Sequence, residues 1–321
     1  MKYAHIPGLL TPVSRIVLGT TALDAADQPR ADALLDAAFA KGINTFDTAR
    51  IYPNDGEVAL GRWIRSRGLE GRVNVLTKGA HHDAYRRRVT PEDIEQDCRE
   101  SIARLGVKTI DLYLLHRDDP SMPVGPIVEC LNRLHEEGLI RVFGGSNWTA
   151  ARLAEANAYA EAHGLQGMSV SSPHYALGVE QCDTWGGGVS LTGAKGAAER
   201  AFYRETGMPV FAYSSLCHGL LSGKWKWNDR AGLESGLDEF ALRGFYCDEN
   251  LERLRRCEVL AADMQITVAQ LALAWVLCRR ENVLAVTKAS SPKRLPDMAA
   301  ATEIILTEAQ MAWMNLETES L

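Results

Sequence analysis

Between about residue 15 and residue 300, short apolar runs alternate with helical patterns, and eight such runs can be counted. They span residues 15–18, 44–47, 73–78, 110–116, 142–146, 167–171, 209–213 and 283–287. None alternates polar with apolar side chains, so each is expected to be a strand covered on both faces, as in a parallel sheet. The stretches between them carry helix start signals. Thr90-Pro91-Glu92-Asp93 offers a cap, a proline in the first turn and early acidic residues, and Gly106 stops that helix. Thr149 follows Trp148 as a capping threonine, and Thr267 to Gln270 and Thr307 to Gln310 read as capping boxes. Eight strand–helix repeats predict an α/β chain forming one domain over residues 1–321, a closed (β/α)8 TIM barrel. Residues 1–14 are expected to form a short N-terminal hairpin under the barrel. Residues 178–195 and 216–250 are too long for plain turns after strands six and seven, and together with the loop of residues 117–125 and the Trp148 region they are expected to wall the pocket.

Composition narrows the function. A net charge of -6 argues against a surface built for nucleic acid or anionic lipid. No apolar run approaches the ~18 residues needed to span a bilayer, and the first ten residues lack the pattern of a secretory leader. The seven cysteines are dispersed, odd in number and never paired as Cys-x-x-Cys, which fits reduced thiols in a cytoplasmic protein. Cys98, Cys130 and Cys278 fall on apolar helix faces and are expected in the core. His81-His82-Asp83 invites a metal-hydrolase reading, but no His-x-His follows the first strand, so no metal is expected and both histidines are placed on a loop at the pocket rim.

In a TIM barrel the chemistry lies where strands end. Four polar residues fall at such exits, Asp47, Tyr52, Lys78 and His116. Reducing a carbonyl with hydride leaves an alkoxide that must be protonated. A phenol is a weak acid, with an ordinary pKa of about 10. A neighbouring ammonium is expected to lower that value, a carboxylate to fix the ammonium, and an imidazole to hold the carbonyl oxygen. These four residue types supply a donor, Tyr52, its modulator, Lys78, an anchor, Asp47, and an orienting group, His116.

The same residues resemble the signatures of the aldo-keto reductase superfamily over nearly the whole chain. Phe46-Asp47-Thr48-Ala49-Arg50-Ile51-Tyr52 with Glu57-Val58-Ala59-Leu60-Gly61 is similar to its aspartate–tyrosine segment, and Asp111-Leu112-Tyr113-Leu114-Leu115-His116 to its histidine segment. The resemblance implies NADPH (NADP+) bound across the top of the barrel and a small carbonyl or alcohol substrate. It also implies cofactor contacts residue by residue: Ser146, Asn147 and Ser172 at the nicotinamide carboxamide, Tyr213 stacked on the ring, Ser214, Leu216 and Gly219 over the pyrophosphate, and Lys288 and Arg294 on the 2′-phosphate. Four positions depart from the family pattern: Ser172 stands where glutamine is common, Pro53 and Ser215 alter loop residues, and Met298 replaces a frequent asparagine. A second reading is an NADPH-binding regulatory or sensor subunit with the same fold. Oligomeric state and substrate identity are left open by these residues.

Overall fold

The computed structural model describes residues 1–321. Two short strands, β1 (Tyr3–Ala4) and β2 (Val13–Ser14), pair antiparallel as the N-terminal hairpin. Eight further strands follow: β3 (Ile16–Gly19), β4 (Thr45–Asp47), β5 (Asn74–Gly79), β6 (Ile110–Leu115), β7 (Ile140–Ser146), β8 (Val170–Ser172), β9 (Val210–Ala212) and β10 (Val283–Lys288). Each pairs in parallel with its neighbour in sequence, and β10 closes the barrel against β3. The expected strands differ from these only at their ends. The sixth is the most displaced, pairing over Val170–Ser172 rather than residues 167–171.

The helices form where their caps were expected. The Thr90 hydroxyl accepts from Asp93 N and Gly106 takes a left-handed φ of 64° to end the helix Pro91–Leu105. Thr149 caps the helix Ala150–Ala162, and Thr267 and Thr307 both complete capping boxes. Glycine is required where layers meet closely: a Cβ at Gly61 would run into the Leu105 carbonyl of the next helix, and one at Gly144 into the Val170 carbonyl of the neighbouring strand. Cys98 and Cys130 are buried as expected, whereas Cys278 caps the end of the helix Val268–Leu277 and is only half-buried.

Two apolar layers result. The outer layer, between strands and helices, contains Phe46, Val75, Tyr113, Phe143 and Ala285 among many others. The inner layer fills the barrel with Val17, Leu76, Leu112, Leu114, Val142 and Phe211, closed below by Ala4, Ile6 and Val13 of the hairpin. Side chains alternate faces along a strand. Counting upward by twos from the inward residues therefore reaches Lys78, His116, Ser146, Ser172, Tyr213 and Lys288 at the upper rim. Asp47 joins them because Phe46, next to it, faces outward. The two long loops lie over this rim. Residues 178–195 carry no helix, and residues 216–250 fold into the short helices Arg230–Gly236 and Glu239–Gly244. No single helix is long and apolar enough to cross a membrane.

Candidate active site

Asp47 ends β4 opposite Leu76, so Lys78 stands one inward step above it on β5. The Lys78 ammonium donates to Asp47 Oδ2 at 2.5 Å, to the Thr48 carbonyl at 2.9 Å and to the Tyr52 oxygen at 3.3 Å. Tyr52 reaches the pair from a turn, its N–H bound to the Ala49 carbonyl, and its hydroxyl donates to Asp47 Oδ1 at 3.3 Å. His116 leaves β6 with its N–H on the Gly79 carbonyl at 2.7 Å. Its ring meets that of Tyr52 edge-on, with centroids 6.0 Å apart. Asp47, Tyr52, Lys78 and His116 are thus brought together at one rim.

Surrounding residues hold this geometry. Glu57 is fully buried, accepting from Thr77 at 2.6 Å and pairing with Arg104 at 2.9 Å. Asp97 is also fully buried and binds Arg88, Arg50 and the Ala80 N–H. Ala80 takes a left-handed φ of 57°, and this turn carries His81 against His116, with ring centroids 4.8 Å apart. His81 thus lies on the loop after β5 at the same rim, directly against His116.

The electrostatics follow from burial. Desolvation raises Asp47 and lowers Lys78, and their mutual attraction opposes both shifts. Burial and the Asp47 carboxylate push the Tyr52 phenol well above its usual range. The expectation that Lys78 lowers it is not met in this arrangement, because Asp47 lies as close to the phenol as the ammonium does. Tyr52 accordingly keeps its proton at neutral pH. Burial and the Lys78 charge drive His116 well below the usual imidazole range, so its ring is neutral.

The expected cofactor residues line the same rim from β7 round to β10. Ser146 donates to the Ser172 carbonyl at 2.9 Å, and Ser172 to the Phe211 carbonyl at 2.8 Å. The Ser172 hydroxyl proton is thus committed across to β9, and only its lone pairs remain for a ligand. Asn147 sits at φ 60° and bonds the His116 carbonyl, Ser146, the Tyr213 hydroxyl and the Val189 N–H. A bound carboxamide would exchange with one of these. After β9, the non-glycine residues Ser214, Cys217 and His218 have positive φ, strain of the kind found at ligand clamps, and Gly219 follows at a positive φ that glycine adopts freely. A side chain added at Gly219 would meet nothing within 4 Å, so its backbone faces open space. Leu216 caps the short turn that presents it. Lys288 at the end of β10 is exposed, and Arg294, in the turn Pro292–Arg294, bonds the Ser222 carbonyl at 3.2 Å. A cavity of about 250 Å³ between Leu23, Asp24, Asp27, Arg30, Ser290 and Ser291 lies beside the chain segment that joins these two cations. Open backbone, exposed cations and an adjoining cavity fit an extended dinucleotide. Met298 is buried. A second cavity, of about 350 Å³ beside Tyr175, Arg200, Arg253 and Trp275, lies away from the four polar residues.

Arg117, directly after His116, was expected only as the first residue of a wall loop, with no role of its own. It is 6% exposed, and its Nη2 donates to the Trp185 carbonyl at 3.1 Å, tying the loop of residues 178–195 to the site. Trp185 stacks on Phe240 at 4.3 Å, which joins both long loops over the rim. The available signal was a cation following a strand-end histidine.

Comparison with known proteins places this geometry in a family. The model of the aldo/keto reductase family matches residues 15–315. The aldo-keto reductase str7 of Strobilurus tenacellus is 28% identical over 283 residues, covering 87% of this chain and 78% of its own length. A probable voltage-gated potassium channel subunit beta of Oryza sativa is 26% identical over 318 residues, covering 95% and 92%. Among solved structures, an aldo/keto reductase from Klebsiella pneumoniae in complex with NADP and acetate superposes with a TM-score of 0.70 at 26% identity, covering 97% of this chain and 93% of that one. The chain belongs to the aldo/keto reductase family.

Proposed function

We propose that the protein is an NADP(H)-dependent oxidoreductase acting on an aldehyde or ketone, or on the corresponding alcohol, with Tyr52 as the general acid. The observation that carries this is the Tyr52 hydroxyl lying 3.3 Å from both the Lys78 ammonium and an Asp47 oxygen, beside a neutral His116. Bound NADPH supplies the hydride. Ser146, Asn147 and Ser172 would hold its carboxamide, Tyr213 its ring, Ser214, Leu216 and Gly219 its pyrophosphate, and Lys288 and Arg294 its 2′-phosphate. The NADP complex of the Klebsiella relative supports this choice.

The chain's own residues manage the proton. His116 donates one N–H to the substrate oxygen and holds it toward Tyr52. Tyr52 gives up its proton as the oxygen becomes an alkoxide, a far stronger base than phenolate. The Lys78 ammonium then bonds the phenolate that remains, and Asp47 keeps the ammonium in place. A phenol held protonated by burial suits the reductive direction.

The likeness to a potassium channel subunit favours a second reading, an NADPH-binding sensor. Purified protein mixed with NADPH and a panel of aldehydes, followed by loss of NADPH absorbance, separates the two. Turnover is expected, and Tyr52→Phe should lower kcat by about 10²–10⁴-fold while NADPH still quenches protein fluorescence. NADPH binding without turnover of any aldehyde would favour the sensor.

A further inference from the structure

Arg117 presents a buried charge that no step above employs. A buried guanidinium is normally paired with a carboxylate, and this one is not. The nearby acids are engaged elsewhere: Asp118 with Arg152 at 2.9 Å, Asp119 with Arg87 at 3.1 Å, and Asp183 with the N–H groups of Trp185, Gly187 and Gly188. Of its five possible donors, one meets the Trp185 carbonyl, and Nη1 is buried with no partner at all. Arg117 follows His116 directly at the exit of β6 and is held under the loop that carries Trp185, so its unpartnered nitrogen is buried next to the polar cluster.

A phosphate of the cofactor is badly placed to neutralise it. In the ring of eight strands β6 lies diametrically opposite β10, four strands away in either direction. Lys288 and Arg294 follow β10 and the strained pyrophosphate turn follows β9, whereas Arg117 follows β6. What reaches the β6 exit is the group attached to the carbonyl that His116 and Tyr52 hold.

We propose that Arg117 is a specificity-determining residue for a carboxylate carried by the substrate, so that the preferred substrate is an oxo acid or a carboxylated aldehyde. This rests on the oxidoreductase reading above. The planar guanidinium offers paired N–H donors that match the two carboxylate oxygens. The carboxylate supplies the missing counter-charge and the partner that Nη1 lacks. The loop bearing Trp185, already bonded to Arg117, would shield the bound anion from water.

The test compares 4-carboxybenzaldehyde with benzaldehyde, using the full chain with NADPH. Wild type is expected to show a kcat/KM about tenfold or more higher for the carboxylated aldehyde, mainly through KM. Arg117→Met should collapse that ratio toward one, and Arg117→Lys, which keeps the charge, should retain part of it. Equal losses for both aldehydes in Arg117→Met would assign the residue to loop support alone and overturn the proposal. So would a wild-type preference for benzaldehyde. Benzoate and benzyl alcohol titrated against Trp fluorescence give a readout without turnover. Benzoate binding that is tight in wild type and at least tenfold weaker in Arg117→Met sustains the anion site even where no aldehyde is reduced, so a failure of the oxidoreductase reading is told apart from a failure of the carboxylate site. Benzoate binding indifferent to Arg117 would remove it.

Discussion

Burial holds five of the eight histidines below their ordinary titration range: His81, His82, His116, His174 and His218. His174 shows the physical reason most plainly. It is 1% exposed between Tyr213, Phe245 and the loop residue Ser190, whose hydroxyl meets its Nδ1 at 2.9 Å. Desolvation, with the nearby His218 as a smaller cause, pushes it down to about 3. In the unfolded chain the same imidazole takes up a proton near pH 6.5. The unfolded state therefore binds more protons between these values, and stability rises with pH across that window. The contribution is complete above about pH 6.5 and is lost as the pH falls toward 3. Chemical denaturation followed from pH 7 to pH 4 should show a steep loss for wild type. His174→Asn should be less stable at pH 7 yet show a shallower slope, by about one proton. Parallel curves would mean that His174 is protonated in the folded state. Nothing in the sequence announced His174, because its burial depends on two loops that were legible only as long.

Strand exits explain why so much of the site could be read in advance and why part could not. Outward positions such as Phe46, Val75 and Tyr113 pack under helices, and inward positions such as Leu76 and Leu112 fill the barrel. Both faces are apolar, so no alternation shows until the inward series turns polar at the rim. That switch is abrupt at Lys78 and His116, which made them visible in the sequence. Arg117 and Trp185 fall outside the inward series, and only the folded loop brings one against the other. After β10 the chain forms the turn Pro292–Arg294, with no side-chain cap, followed by the six-residue helix Leu295–Ala300. So short an element offers no helix N-terminus for an anion, and the proposed 2′-phosphate contacts rest on the exposed Lys288 and Arg294 side chains. Replacing both by Ala should weaken NADPH far more than NADH, since charge-assisted bonds to a phosphate contribute roughly 1.5–3 kcal/mol each. Fluorescence titration with both dinucleotides measures this, and an equal loss for the two would show that no 2′-phosphate is read at this turn.

Across the whole molecule, the barrel separates its apolar floor from the polar cluster at its upper rim. The polar residues lie at the upper rim, while the lower end is sealed by Ala4, Ile6 and Val13, packed with Val17, Leu76 and Leu284. The seal follows from geometry, since an eight-stranded barrel has an interior that side chains must fill. With an open floor, water would reach the inner apolar layer. Ile6 is 1% exposed and belongs to that layer without touching the rim. Ile6→Ala removes apolar contact and leaves a void that the stiff strands above cannot collapse to fill, a change that costs about 2–5 kcal/mol in comparable cores. Urea unfolding should show the midpoint fall by that measure with the slope unchanged. The kcat of the surviving folded enzyme should match wild type at a temperature well below its Tm, because the rim hangs on β4, β5 and β6 and on the buried Glu57 and Asp97, all independent of the floor. A large fall in kcat with stability intact would show that the floor transmits its packing to Asp47 and Lys78. The two ends of the barrel would then have to be treated as one mechanical unit.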